Sequence, residues 1–253
     1  MINWENIKKQ LQEFLKDELA KTGLTKVTVG LSGGLDSAVV AVLCKETFGD
    51  NMSCVLMPSQ FSSKESIDDA IELCEKFDIK YEIKSIAPMV ESFIENMNED
   101  RLRIGNFSAR MRMSVLYDIS SRDKSIVVGT SNKSELLLGY GTIFGDIACA
   151  INPIGEMYKS DEFEFAKYLG VTDAIINKKP SADLWEGQSD EEELGYTYAQ
   201  MDEVLKHLVE GNKSKEELLA LNFEENLIDL LLHRIKANAF KGKLPQIAKI
   251  KWS

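Results

Sequence analysis

The chain is predicted to fold as an α/β protein with a doubly wound, mostly parallel sheet and additional C-terminal helices. Three observations predict it. Short apolar segments alternate with helix-periodic ones over the first 130 or so residues, the pattern of a sheet covered on both faces. The intervals between them are long enough for the crossover helices that parallel strands need. The stretch VTVGLSGGLDSAVVAVLC, 27–44, reads as strand, glycine turn and buried helix. Such a unit presents bare N–H groups and a helix N-terminus to an anion.

The elements follow in order. Residues 3–21 place Trp4, Ile7, Leu11, Phe14 or Leu15, and Leu19 at helical spacing. The first strand spans 26–31 and its helix runs from Asp36 to Phe48. The second strand, MSCVLMP at 52–58, is stopped by Pro58. A helix from Ser63 aligns Ile67, Ile71, Cys74 and Phe77 on one face. A third strand is expected at 79–86, helices at 87–97 and 106–121, and a fourth strand, SIVVGT, at 125–130. After Gly145 the strand signal fades. A helix is expected at 160–169, with Ser160 as its N-cap. The polar, charged stretch 177–193 reads as a loop, with a lid that orders on ligand binding expected at 183–195. Helices return at 195–210, 214–221 and 224–239. No linker marks a boundary, so one domain over 1–253 is expected.

Composition narrows the function. A net charge of −11 argues against a general nucleic-acid binder. No apolar run approaches the roughly 18 residues of a membrane span, and MINWENIKKQ lacks a signal-peptide core. Cys44, Cys54, Cys74 and Cys149 are scattered in apolar or periodic runs without CxxC spacing. Buried free thiols and a cytoplasmic location are expected. Charge is unevenly spread: six basic residues and no acids lie between Arg234 and Ser253, while 183–193 is crowded with acids.

The glycine turn is not a Walker A loop, because G-x-x-x-x-G-K-[ST] is absent. It reads S-G-G-x-D-S. Ser32 and Ser37 can donate hydroxyls to phosphate, and Gly30, Gly33 and Gly34 let the backbone approach closely. Asp36 would repel a bare phosphate. Either it complements the helix dipole, or a magnesium ion stands between the two and reverses the sign of the contact. Thr130 ends the fourth strand, where ligands sit in open α/β sheets. Asn132 and Glu135 have capping-box spacing, so Glu135 has a structural role open to it. Arg110 and Arg112 are two apart and point to different sides of a regular helix. Lys159 precedes a helix. His207 and His233 fall in late helices and read as structural, and no strong covalent nucleophile is found.

GLSGGLDS at 30–37 resembles the PP-loop of the ATP pyrophosphatases, which cleave ATP between the α and β phosphates. GTSNKSE followed by GYGTIFGD, GNFSARMRM, NPIGEMYK, KKPSADL…SDEEELG and NAFKGKLP together resemble the NAD synthetase family, in order and over nearly the whole chain. The resemblance implies an adenine nucleotide alpha hydrolase-like fold. It also implies ATP-dependent amidation of deamido-NAD to NAD through an adenylate, releasing AMP and pyrophosphate. It implies ATP contacts from Gly30, Leu31, Ser32, Gly33, Gly34, Leu35, Asp36, Ser37, Thr130, Lys159 and Ser181. Magnesium is implied on Asp36 and Glu135, deamido-NAD on Arg110 and Lys241, and catalytic roles for Asp36 and Lys159. A homodimer is the family's usual assembly. Glutamine-using relatives carry a glutaminase domain, for which no room is found before the loop near residue 30 or after residue 253. Ammonia is therefore the expected donor. The chain departs from the pattern where many members have lysine (Ile143), aspartate (Ala150) or histidine (Phe240). The rivals are another PP-loop adenylase, disfavoured by 127–146 and 178–198, and a nonenzymatic nucleotide sensor.

Overall fold

The structure is a computed structural model that describes residues 2–94, 100–181, 189–243 and 247–251. After helix α1 (Trp4–Thr22) the chain alternates strand and helix: β1 (Lys26–Gly30), α2 (Leu35–Phe48), β2 (Met52–Leu56), α3 (Lys64–Lys76) and β3 (Lys80–Ile83). Next come α4 (Ala87–Ile94), α5 (Arg101–Asp123) and β4 (Ser125–Val128). The strands form one parallel sheet in the order β3-β2-β1-β4. Val27 pairs with Met52 on one side and with Ile126 on the other. A parallel bridge, Val128 to Ile151, extends the sheet beyond β4; the sequence did not announce it, because the apolar run that carries it, 147–151, is short and lacks the alternation of a strand.

The sheet is buried on both faces, as parallel sheets require. Val27, Val29 and Cys54 pack into one core with α1, α2 and α3, while Val55 and Val127 point into the other with α4 and α5. Helix α2 is apolar all round because it is interior all round: every residue from Ser37 to Cys44 is buried. Cys44, Cys54 and Cys74 are buried free thiols as expected, whereas Cys149 is only half-buried.

The later chain is helical: α6 (Lys133–Leu138), α7 (Lys159–Leu169), α8 (Asp173–Ile176), α9 (Asp190–Leu194), α10 (Tyr198–Val209), α11 (Lys215–Ala220) and α12 (Glu225–Asn238). Their third core contains Leu138, Tyr198, Met201, Leu205 and Leu231. Three expectations need correcting here. The expected loop at 177–193 ends in a short helix, α9, which begins at Asp190. Helix α7 begins at Lys159, with Tyr158 at the N-cap position and no side-chain cap of its own, so Ser160 is not the cap. The Ser160 N–H instead donates to Asp202 Oδ2 at 2.8 Å. The third strand is four residues long rather than eight, because Lys84 leaves the ladder and only its N–H reaches Leu56. Part of the expected lid (183–188) and of the expected helix at 87–97 (95–97) lies outside the described residues.

Candidate active site

The chain builds β1, β2 and β3 outward on one side, then returns to place β4 on the other side of β1. The crevice beyond the carboxyl ends of β1 and β4 is therefore a topological switch point, where open α/β sheets bind ligands. A cavity of about 850 Å³ opens there, toward the upper end of the usual range for ligand pockets. It is lined by the whole turn 30–37, and by Thr130, Glu135, Lys159, Ser181 and Lys241.

The turn is self-braced. Gly33 has φ +82°, a conformation that glycine adopts without steric cost. A β-carbon there would stand 2.0 Å from the Ser66 carbonyl oxygen. Ser32 Oγ accepts the Gly34 N–H at 3.2 Å and lies 3.0 Å from Ser37 Oγ. The two hydroxyls expected to meet phosphate thus hold the loop in shape. Gly34 leads directly into α2, whose first turn carries Asp36.

Asp36 is the meeting point. Asn132 Nδ2 donates to its Oδ1 at 2.6 Å, and the Lys159 ammonium donates to its Oδ2. Burial, the largest influence, would raise the Asp36 carboxyl; the Lys159 charge and the hydrogen bonds from Glu162, Lys159 and Asn132 together outweigh it and hold the carboxyl below the ordinary value. Lys159 has 3% of its side chain exposed. Burial opposes its charge, but Asp36, Glu162 and Glu135 together raise its pKa and keep it an ammonium.

Glu135 performs the capping role: Asn132 Oδ1 accepts its N–H at 2.9 Å, and its Oε2 accepts the Asn132 N–H at 3.3 Å. The same carboxyl lines the cavity. Burial, with the nearby Asp36 charge, pushes it well above the ordinary carboxylate range. Glu162 is fully buried, 3.5 Å from Lys159 Nζ and beside Asp36; burial first and the Asp36 charge second push its carboxyl well above the ordinary range. One ammonium therefore faces three carboxyl groups.

The two arginines divide as their spacing predicts. Arg112 lines the cavity, and its Nε donates to the Met57 carbonyl at 3.1 Å. Arg110 stands outside the lining and donates to the Ile143 carbonyl at 3.2 Å. Lys241 donates to the Gly139 and Gly141 carbonyls at 2.7 and 3.0 Å, tying the C-terminal segment to the loop after α6. His207 packs at a tilt against Phe223 and does not line the cavity. Sequence reasoning missed Glu162 and the second bond of Asn132. The i,i+3 spacing of Lys159 and Glu162 was a legible signal for the first; nothing local pointed to the second.

A parallel sheet, a phosphate-type turn without the Walker lysine, and an acid at the start of the following helix define a nucleotide-binding α/β protein of the PP-loop kind. The NAD synthase family model matches residues 7–245. The NH(3)-dependent NAD(+) synthetase of Wolinella succinogenes is 54% identical over 96% of this chain and 95% of that relative. The structure of the NH3-dependent NAD synthetase from Campylobacter jejuni superposes with a TM-score of 0.84, at 42% identity over 98% of this chain and all of that one. The NMN synthetase from Francisella tularensis superposes with a TM-score of 0.88, at 31% identity over 99% and 100%. The chain belongs to the NAD synthase family.

Proposed function

We propose that the chain amidates deamido-NAD to NAD with ATP and ammonia, the last step of NAD synthesis, with the cavity at the β1–β4 switch point as its active site. Family membership supports the reaction class. The observation that carries the site assignment is the pairing of buried Lys159 with half-buried Asp36 beside Glu135, at the end of a phosphate-type turn.

The chemistry explains why such a site is needed. A carboxylate is a poor electrophile, because ammonia would have to expel oxide. Attack of the carboxylate oxygen on the α-phosphorus forms an acyl-adenylate and expels pyrophosphate. Ammonia then attacks the acyl carbon, AMP departs and a proton is released. The first step brings two anions together, so charge neutralisation in a dry pocket is the main demand. The α2 N-terminus and the turn, held in shape by Ser32 and Ser37, face the polyphosphate, with Thr130 and Ser181 as hydroxyl donors. Lys159 supplies the fixed positive charge that the turn lacks. Arg112 lines the cavity, while Arg110 and Lys241 brace the loops expected to meet deamido-NAD.

The residues present fit a divalent cation. Three carboxyl groups face one ammonium, and two of them, Asp36 and Glu135, line the cavity, where the Asp36 charge opposes ionisation of Glu135. Among those residues no cluster of three or more His, Cys, Asp or Glu groups is disposed to hold a metal ion. Magnesium asks for less: one or two carboxylates completed by phosphate oxygens. Asp36 and Glu135 would hold it, and when bound it would neutralise charge on the departing pyrophosphate.

The free thiols support a cytoplasmic location, and no helix among the described residues is long and apolar enough to cross a membrane. The homodimer that the resemblance implies is part of the proposal and rests on family membership alone.

The test mixes protein, ATP, magnesium and ammonium with either deamido-NAD or nicotinic acid mononucleotide, and identifies products. NAD, AMP and pyrophosphate are expected in equal amounts from the dinucleotide. ADP and phosphate would overturn the proposed chemistry, and turnover of the mononucleotide alone would overturn the substrate.

A further inference from the structure

The site's acid and its ammonium stand on the first turns of two different helices. Glu135 is the third residue of α6, and Lys159 is the first of α7. Their spacing depends on how those two turns are held together. The join is made from outside the cavity, by a third helix. Asp202 of α10 is 1% exposed and does not line the cavity. Its Oδ1 accepts the Ser134 hydroxyl at 2.5 Å and its Oδ2 accepts the Ser160 N–H at 2.8 Å. The Ser134 hydroxyl in turn accepts the Lys159 N–H at 3.0 Å. Ser134 immediately precedes Glu135, and Ser160 immediately follows Lys159.

One carboxylate thus ties both turns. Charge-assisted bonds of this kind are stronger and shorter than neutral ones, and α7 has no side-chain cap of its own to compete. The carboxylate is itself held fast. Its neighbours on α10, Met201, Val204 and Leu205, are wholly buried in the third core. A displacement at Asp202 therefore moves Ser134 and the start of α7, and with them the two charged side chains.

We infer that Asp202, acting through Ser134, is a positioning residue that sets where Glu135 and Lys159 stand relative to each other. The inference rests on the proposed roles of those two side chains. It assigns the C-terminal helices a part in catalysis beyond packing.

Asp202→Asn places an amide NH₂ against one of two donors, and Ser134→Ala removes the shared hydroxyl. Each should lower kcat on the order of ten- to a hundredfold, the size of effect that a small misplacement has elsewhere. KM for ATP and for deamido-NAD should stay within about twofold, because a loss of transition-state alignment falls on kcat. The double variant should lose little more than the worse single one, since both act along one connection. Ser134→Ala removes a single atom and keeps the experiment informative if Asp202→Asn folds poorly. Wild-type kcat in both single variants, or fully additive losses in the double, would overturn the inference. Lys159→Met is measured alongside. If it retains activity, the proposed role of Lys159 falls and takes the inference with it. If it is inactive while the other two match wild type, only the positioning role falls.

Discussion

Glu135 caps a helix and lines the cavity, so its cap does not exclude the other role that the sequence leaves open. Its backbone N–H and one carboxyl oxygen complete a capping box with Asn132, yet its carboxyl lines the cavity beside Asp36. Substitution separates the roles. Gln can still reach back to the Asn132 N–H, so Glu135→Gln should keep the cap and lose the charge. Its adenylation rate should fall on the order of a hundredfold, the usual size of effect for a lost electrostatic group, with the fold intact by circular dichroism. Retained activity would reduce Glu135 to a cap. The same variant carries a pH signature. Burial first, and the Asp36 charge second, raise the Glu135 carboxyl above its ordinary 4.5. A raised acid contributes its full stability below that ordinary value and loses it as pH climbs through the folded one. Without ligands, wild type should therefore lose stability relative to Glu135→Gln as pH rises from 4.5, and the gap in Tm should widen. A gap that stays constant with pH would show that Glu135 carries no such penalty.

At the scale of elements, the turn between β1 and α2 is where a local rule binds most tightly. Gly33 combines a positive φ with the Ser66 carbonyl pressed against the place of its missing side chain. An L-residue in that conformation costs roughly 1–2 kcal/mol before any clash, and backbone from α3 cannot yield as a side-chain tip can. Gly33→Ala should push the turn off α3 and weaken ATP binding at least tenfold by calorimetry, with only a modest change in Tm. Unchanged affinity would show that the turn does not hold the nucleotide. This element was legible because glycines, strand periodicity and a buried helix coincide in 18 consecutive residues. So were α1, α3, α10 and α12, whose apolar faces repeat at helical spacing. The start of α7 was misread. Ser160 looks like a cap locally, but the true acceptor, Asp202, lies 42 residues away. The Asn132–Asp36 contact, across 96 residues, was invisible for the same reason. Elements announce themselves through periodicity, whereas side-chain pairing across the fold leaves no local trace.

At the scale of the molecule, the question is whether the C-terminal helices are an appendage or part of one folding unit. Several links argue for one unit. Leu138, on the helix that carries Glu135, is fully buried in the third core. Asn238 Nδ2 donates to the Leu138 carbonyl at 3.1 Å, and Lys241 binds the loop that follows. Asp202 holds α6 and α7 at their starts, and α7 buries Phe165 and Ala166 in the first core. The third core therefore cannot loosen without releasing helices that also cover the sheet. Leu231 of α12 is fully buried and far from the sheet in sequence. Leu231→Ala should cost about 2–5 kcal/mol, as large-to-small core changes do. For a chain of this size that lowers Tm by about 5–15 °C. Calorimetry should show one transition in wild type and one, displaced as a whole, in the variant. Because Glu135, Asp190, Glu193 and Arg234 of the later helices line the cavity, magnesium with α,β-methylene-ATP should raise that single Tm in both proteins. Two transitions, with only the lower one moved by Leu231→Ala and only the upper one by the nucleotide, would mean that the sheet and the helical unit fold independently.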